Sequence, residues 1–304
     1  MRIFAVGLLA VMIFAGSSLY GSSSKITIQL DPKKLAEGKK AIEEDKKRRI
    51  EFEDGENGIV LKKFPKHSNI KSYKIPYGIT VIGNCAFSGC SNLTSVTIPT
   101  SVTHIENEAF YRCAYLVSII IPSSVTKIGN DAFCRCEELA SITIPSSVTK
   151  IGDGAFRDCK NLTRVTIQNG VTHIGKWAFA RCEDLTSVTI PTSVTHIENE
   201  AFCRCEELAS ITIPSSVTKI GDGAFSDCKN LTRVTIQNGV THIGKWAFAG
   251  CEDLTSVTIP SSVTKIGERA FRDCKNLTSI TLPAQFKGKE AYCGIPKKCK
   301  VTYR

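Results

Sequence analysis

Ile121-Pro-Ser-Ser-Val-Thr-Lys-Ile-Gly-Asn-Asp-Ala-Phe-Cys-Arg-Cys-Glu-Glu-Leu-Ala-Ser-Ile-Thr143 is one of nine consecutive 23-residue units that run from Ile75 to Thr281 without an insertion. Internal repeats of this length are the sequence signature of a solenoid, in which each unit contacts only its neighbours. One unit cannot bury its apolar residues alone, whereas stacked units can. The units begin at Ile75, Ile98, Ile121, Ile144, Ile167, Ile190, Ile213, Ile236 and Ile259.

The residue pattern of one unit predicts its local structure. The segment 139–144 is rich in β-branched residues and predicts a short strand. Pro145 ends that strand because it has no N–H to donate, and Gly129 marks a turn. Parallel strands about 4.8 Å apart give the nine units a length of roughly 45 Å. The inward positions of this unit are Ile121, Val125, Ile128, Ala132, Phe133, Cys136, Leu139 and Ile142.

The 23-residue units are themselves part of a longer repeat. Residues 134–189 and 203–258 are offset by 69 residues, or three units, and differ at only two positions. Arg157 corresponds to Ser226, and Arg181 corresponds to Gly250. The array therefore looks enlarged by the copying of a three-unit block, which suits a protein whose function scales with the length of its surface.

The repeat pattern resembles that of a known family. Ala-Phe-x-x-Cys-x-x-Leu-x-x-Ile-x-Ile-Pro-x-x-Val-x-x-Ile-Gly, which recurs through residues 69–283, is similar to the BspA-like leucine-rich repeats of bacterial and protozoan surface proteins. The resemblance implies an α/β repeat fold, a curved parallel leucine-rich-repeat solenoid with short N- and C-terminal caps. It also implies adhesion to host cells or matrix proteins and aggregation between microbes. It does not identify the ligand, because a fold does not specify a function.

The regions outside the array predict an export signal and two caps. Residues 1–21 have the basic, apolar and small-residue order of a cleavable signal peptide, with a non-cleaved anchor as the alternative. We therefore expect a secreted or cell-surface protein whose mature chain does not span a membrane. Residues 22–74 predict a basic N-terminal cap with a charged amphipathic helix over 31–50 and a partial repeat, and residues 282–304 predict a basic C-terminal cap.

The net charge of +10 is distributed in a way that argues against a nucleic-acid partner. Residues 22–74 and residues 282–304 each carry a net charge of +5, whereas residues 75–281 carry −1. The continuous basic stripe that contacts a phosphate backbone is therefore missing. The basic ends are either solvated caps or contacts to an anionic cell surface or glycan.

Most of the 14 cysteines have a structural explanation in the repeat. Nine of them occupy one position between the inward Phe and the inward Leu, which predicts small, buried, reduced thiols. Cys293 and Cys299 lie outside the array and are a candidate disulfide of the C-terminal cap, with free thiols as the alternative. The nine are Cys90, Cys113, Cys136, Cys159, Cys182, Cys205, Cys228, Cys251 and Cys274.

The polar residues do not predict an enzyme or a metal site. The Cys-Arg-Cys segments 134–136 and 203–205 lack a third and a fourth zinc ligand. Catalysis needs one unsymmetrical set of groups, whereas these polar residues recur periodically. We therefore expect no catalytic residue, no cofactor and no metal. Four histidines share one repeat position with lysines, which predicts a solvated row: His104, His173, His196 and His242.

At two repeat positions some units carry residues that differ from the Ser and Thr of the surrounding surface, and these are the candidate protein-binding residues. Trp177 and Trp246 occupy an exposed turn position two residues before the inward Phe. Arg164 and Arg233 replace Ser at an outward strand position. Exposed Trp and Arg are enriched among interface hot spots. The alternative interpretation is that both pairs were copied with the block and that the indoles lie flat on neighbouring turns.

The sequence thus predicts a non-enzymatic, adhesin-like module that binds host or neighbouring-cell proteins. Its partner is expected to be a protein ligand, such as an extracellular-matrix or cell-surface protein. The alternative is a structural cell-envelope protein held by its basic ends. Release into the medium favours the binding module, and salt-extractable retention on the envelope favours the structural protein.

Overall fold

The computed structural model describes residues 30–304, so the predicted signal peptide lies outside the described residues. It confirms the predicted parallel leucine-rich-repeat solenoid. Each unit contributes a short strand, a run of turns around its inward Phe, and a second strand. One incomplete turn precedes the nine units and another follows them, because the strands Gly58–Lys63 and Lys300–Tyr303 extend the two strand ladders. No helix within residues 30–304 is both long and apolar enough to cross a membrane.

The first ladder is a sheet of eleven strands. Its outermost pair, β1 and β2, is an antiparallel hairpin, and every later pair is parallel. Successive strands keep the 23-residue register, so that Lys150 faces His173 and His173 faces His196. The strands are β1 (Glu51–Gly55), β2 (Gly58–Lys63), β4 (Ile79–Ile82), β6 (His104–Ile105), β8 (Lys127–Ile128), β10 (Lys150–Ile151), β12 (His173–Ile174), β14 (His196–Ile197), β16 (Lys219–Ile220), β18 (His242–Ile243) and β20 (Lys265–Ile266).

The second ladder runs in three parallel segments along another side of the array. The first and third residues of most strands are exposed and the second is buried, as in SITI over 141–144. We call the exposed positions of this ladder the strand face. Its strands are β3 (Ser72–Lys74), β5 (Ser95–Thr97), β7 (Ser118–Ile120), β9 (Ser141–Ile144), β11 (Arg164–Ile167), β13 (Ser187–Thr189), β15 (Ser210–Ile213), β17 (Arg233–Ile236), β19 (Ser256–Thr258), β21 (Ser279–Leu282) and β22 (Lys300–Tyr303).

The turns that carry the inward phenylalanines form the third side. The predicted α/β class includes helices. The structure has its α-helix in the N-terminal cap, and the repeat units contain turns in place of helices. In the described residues the one α-helix is α1 (Pro32–Lys47), and Ala284–Phe286 forms a 3-10 turn. The Phe N–H of each turn donates to the Ala carbonyl of the next turn, as Phe156 does to Ala178 at 2.8 Å.

Ten buried phenylalanines stack through the centre of the array, from Phe64 to Phe271. From Phe87 onward the rings are nearly parallel, and their centroid spacing widens from 4.9 to 5.6 Å. Parallel strands lie about 4.8 Å apart, so the units diverge slightly on the Phe side. The Phe-to-Phe spacing therefore exceeds the usual strand spacing toward the C-terminal end of the array.

The nine repeated cysteines are hydrogen-bond donors as well as buried apolar groups. Eight of their Sγ atoms lie 3.1 or 3.2 Å from the Phe carbonyl oxygen of the preceding unit, as Cys159 Sγ does from the Phe133 oxygen. Burial raises the pKa of Cys90 and Cys274 to about 12. The thiols therefore stay protonated and satisfy carbonyls in the core.

Both ends of the array are covered. Asp31 caps α1 by accepting hydrogen bonds from the backbone N–H groups of its first turn. Tyr73 donates a 2.7 Å hydrogen bond to Asp45, which anchors the helix to the first turn of the array. At the other end, Phe271 N–H donates to the carbonyl of Cys293, so the C-terminal segment takes the place of a tenth unit. Cys293 and Cys299 are buried free thiols in the structure, and a bond between them stays a prediction.

Phe156→Ala should destabilise the array locally. Phe156 stacks between Phe133 and Phe179, at 5.1 and 5.3 Å, and core Phe truncations cost about 3–5 kcal/mol. Since units contact mainly their neighbours, hydrogen exchange should show lost protection in residues 121–189 first. Phe156→Leu, which keeps most of the volume, should cost less. Uniform loss of protection across all units would contradict this expectation.

The repeated thiols should resist labelling until the protein unfolds. The thiolate is the reactive form, and burial both hides these sulfurs and raises their pKa. Among the 14 cysteines Cys85 is the exposed one, so Ellman's reagent on native protein should modify Cys85 first. Peptide mapping after denaturation should then recover the nine repeated thiols. A non-reducing digest of the same sample should contain at most the Cys293–Cys299 link, and rapid native labelling of most repeated thiols would refute the prediction.

Candidate binding groove

The two tryptophans stand on a row of residues with an unusual backbone. This row, the turn edge, is the position two residues before each inward Phe, and its nine φ angles lie between 51 and 64°. Glycine adopts this left-handed region freely, whereas a bulky side chain pays a conformational penalty there. The backbone thus gives no reason for Trp. The turn edge consists of Cys85, Glu108, Asp131, Gly154, Trp177, Glu200, Gly223, Trp246 and Arg269.

Both indoles are exposed and border the same depression. Trp177 is 40% exposed and Trp246 is 50% exposed. Three steps of the Phe spacing, each 5.3 or 5.4 Å, separate their units, so they lie about 16 Å apart along the axis. Between them is an open groove with a volume of about 820 Å³, which we call the Trp groove.

The Trp groove exists because the side chains that lie between Trp177 and Trp246 are small. Ala180, Cys203 and Ser226 succeed one another at the repeat position just after the inward Phe, and Gly223 has no side chain. Arg157 begins this row of the lining. Two further repeat positions also line the groove: the second residue after the inward Phe (Arg181, Arg204 and Asp227) and the third residue before it (Asn199, Asp222, Lys245 and Glu268).

Most charged groups in the Trp groove already have partners. Arg204 pairs with Asp227, and Glu268 pairs with Arg269. Asp222 Oδ1 accepts a 2.8 Å hydrogen bond from the backbone N–H of Lys245. Within residues 30–304, neither the Glu200 carboxylate nor the Lys245 ammonium has an ion-pair partner. The groove thus presents two indoles, one free carboxylate and one free ammonium.

The predicted arginine pair lies elsewhere, on the strand face. Arg164 stands between Ser141 and Ser187 in the ladder, and Arg233 stands between two serines in the same way. Both arginines are exposed, and neither lines the Trp groove. The structure therefore separates the four candidate residues into two surfaces, with the tryptophans together on the turn edge.

An apolar patch on unit two was missed by the sequence analysis. Tyr115, Val117 and Ile120 are all exposed, and Ile120 reaches 81%. The signal was present in the repeat, because the other eight units carry Thr at the position of Ile120, and Thr or Ala at the position of Val117. Comparing units position by position, rather than seeking Trp and Arg alone, would have found it.

The histidine row is partly solvated and locally ordered. His173 and His196 stack with their ring centroids 4.4 Å apart, and each ring nitrogen Nδ1 contacts the hydroxyl of the preceding Thr. Burial lowers the pKa of His173, with a smaller contribution from His196. In the part of the chain that the structure describes, no three His, Cys, Asp or Glu residues are grouped so as to hold a metal ion.

A solenoid of parallel 23-residue turns with a repeated inward Phe and Cys defines the leucine-rich-repeat class, and comparison with known proteins specifies the family. The model of the BspA-type leucine-rich-repeat region matches residues 58–186 and 174–293. The chain therefore belongs to the BspA-type leucine-rich-repeat family. No curated protein matches it.

Solved structures of bacterial proteins are similar to the chain in fold. A leucine-rich repeat protein of T. pallidum is 22% identical, with a TM-score of 0.50, and the match covers 84% of this chain and 97% of that one. A leucine-rich repeat protein of Bacteroides ovatus is 22% identical over 84% and 98% of the two chains, with a TM-score of 0.47. A leucine-rich cell surface protein of Faecalibacterium prausnitzii is 27% identical over 84% and 93%, with a TM-score of 0.37.

The native protein should show solvent-exposed tryptophan fluorescence. Trp177 and Trp246 are the only two tryptophans of the chain, so the whole emission comes from the groove. Acrylamide should quench the native protein nearly as strongly as the denatured protein, because both indoles are open to solvent. The single variants Trp177→Phe and Trp246→Phe should show how much each tryptophan contributes to the emission. A blue-shifted, weakly quenched native emission would show that the rings are covered.

Proposed function

We propose that this chain is a secreted or surface-exposed, non-enzymatic binding protein, an adhesin-like module that uses the Trp groove to hold a protein of a host or neighbouring cell. The observation that carries the proposal is that both tryptophans are exposed at the ends of one groove. Leucine-rich repeats of this family are generally non-catalytic binding modules, which supports a binding role.

The backbone at the tryptophans adds to this argument. Both occupy the left-handed turn position that Gly154 and Gly223 occupy without penalty in other units. A bulky residue held at such a position lowers stability, and residues of this kind cluster at functional sites. Tryptophan also buries much area on binding while it loses little side-chain entropy. Five other turn-edge residues also bear a side chain at this φ, so the support for binding comes from the size of the indoles rather than from the backbone alone.

The test is to replace both tryptophans with the residue that the array itself uses at this position. The Trp177→Gly, Trp246→Gly double variant should fold, as judged by far-UV circular dichroism, because Gly adopts this φ readily. Binding to immobilised extracellular-matrix proteins, serum proteins and intact cells should fall by tenfold or more, since hot-spot truncations cost at least about 2 kcal/mol. Each single variant should lose less if one partner spans both rings.

The matched control is an Arg164→Ser, Arg233→Ser variant, which restores the strand face to the residue of the other units. It should bind as the original chain does. If instead the control loses binding and the Trp variant keeps it, the binding surface is the strand face. If neither variant changes binding and the chain is salt-extracted from the cell envelope, the structural role through the basic caps replaces the proposal.

A further inference from the structure

The first copy of the duplicated block neutralises its own carboxylates. Arg157 Nη2 lies 3.2 Å from Asp131 Oδ1 on the turn edge, and Arg157 Nε lies 3.9 Å from Asp158 Oδ2. Arg181 Nε lies 3.1 Å from the other oxygen of Asp158. Arg135 approaches the same carboxylate at 3.7 Å. Three guanidinium groups thus converge on two acids, and the Asp158 side chain is only 12% exposed.

The second copy lacks two of these guanidinium groups. Ser226 and Gly250 stand at the positions of Arg157 and Arg181, and these are the only two differences between the copied blocks. Asp227, the counterpart of Asp158, keeps one ion-pair partner among the described residues, Arg204 at 3.7 Å, and its side chain is 46% exposed. Both differences therefore uncover the same carboxylate.

The turn-edge acid is uncovered as well. Glu200 occupies the position that corresponds to Asp131, next to Trp177 along the turn edge. Without an arginine at position 226, its carboxylate has no ion-pair partner within residues 30–304. The Trp groove is the surface left open where the first copy holds Arg157, since Ser226 and Gly223 line it.

We propose that the Trp groove recognises an arginine side chain presented by an extended polypeptide segment, and that its guanidinium takes the place that Arg157 takes in the first copy. The inference rests on the proposed function of the groove and names the chemistry of its partner. A guanidinium pairs with two carboxylates through its planar fork and stacks on an indole face, so Glu200, Asp227 and Trp177 suit it together. In the first copy the Arg157 guanidinium lies within ion-pair distance of both acids, while Asp131 Oδ1 and Arg157 Nε are buried without a hydrogen bond.

The dimensions of the groove suit a short stretch of extended chain. An extended strand rises about 3.3 Å per residue, so the roughly 16 Å between the tryptophans corresponds to about five residues. Lys245, which has no ion-pair partner among residues 30–304, directly precedes Trp246 and is available to a carbonyl or carboxylate at that end of the segment. Glu200 lies one unit from Trp177 and Asp227 lies one unit from Trp246, so the arginine should lie near the middle of the groove.

The probe is a pair of fluorescein-labelled pentapeptides, Ala-Pro-Arg-Pro-Ala and the same peptide with citrulline in place of Arg. The prolines favour an extended conformation that docks in aromatic-lined grooves. Citrulline keeps the shape of Arg but carries no charge. Fluorescence polarisation should show saturable binding of the arginine peptide to the full chain, and the citrulline peptide should bind at least about tenfold more weakly because charge-assisted hydrogen bonds are lost.

The first variant introduces the residue that the other copy of the duplicated block has at the same position. Ser226→Arg restores the guanidinium of the first copy and should abolish peptide binding by occupying the site, with far-UV circular dichroism unchanged. Ser226→Ala leaves the groove open and should bind as the original chain does. Glu200→Gln should weaken binding about tenfold or more. Glu108→Gln is the matched control, because Glu108 holds the same repeat position outside the groove and should not matter.

Equal binding of the two peptides, or the absence of saturable binding of either, would overturn this inference. Unchanged peptide binding by Ser226→Arg would do so too. The proposed function is judged separately by its cell and matrix assay. If the Trp double variant loses that binding while Ser226→Arg and Glu200→Gln retain it, the groove binds a partner but not through an arginine.

Discussion

The hydrogen bonding of each turn to the next, in a constant 23-residue register, is the constraint on which the structure depends. The two strand ladders and the bonds from Phe N–H groups to Ala carbonyls all use this one offset. An insertion in any unit would break three sets of bonds at once. Because the register is constant, residues at the same repeat position form a continuous row along the molecule. Rows of inward residues form the core, and rows of outward residues form the surfaces.

The rows inside the solenoid also satisfy polar groups that a purely apolar core would leave unpaired. A Phe carbonyl already accepts a hydrogen bond from its own Cys N–H, and the thiol of the next unit supplies a second one. Cysteine is small enough for this narrow position and still carries a donor. On the turn edge the same stacking forces every residue to a positive φ, so the array tolerates Trp at a conformational cost.

Duplication followed by divergence explains how a uniform array acquires one distinctive site. A perfect copy would have repeated the arginine-filled surface around Asp158 in the second block. Where the first block has Arg157 and Arg181, the second has the smaller residues Ser226 and Gly250. Around Asp227 and Glu200 the array therefore lacks guanidinium groups that the first block supplies, and this region lies between the two tryptophans.

The sequence alone determined the solenoid, the number of full units, the inward residues and the buried cysteines, because each follows from a period that is repeated nine times. It also singled out Trp177 and Trp246 by their departure from the repeat. Only the tertiary structure decided that these residues border one groove, that Arg164 and Arg233 lie apart from them, and that Glu200 has no ion-pair partner among residues 30–304. The reason is that residues 69 positions apart border one groove only if the side chains between them leave the space open. The repeat period sets the distance between units, but it does not determine how much of that space the intervening side chains fill.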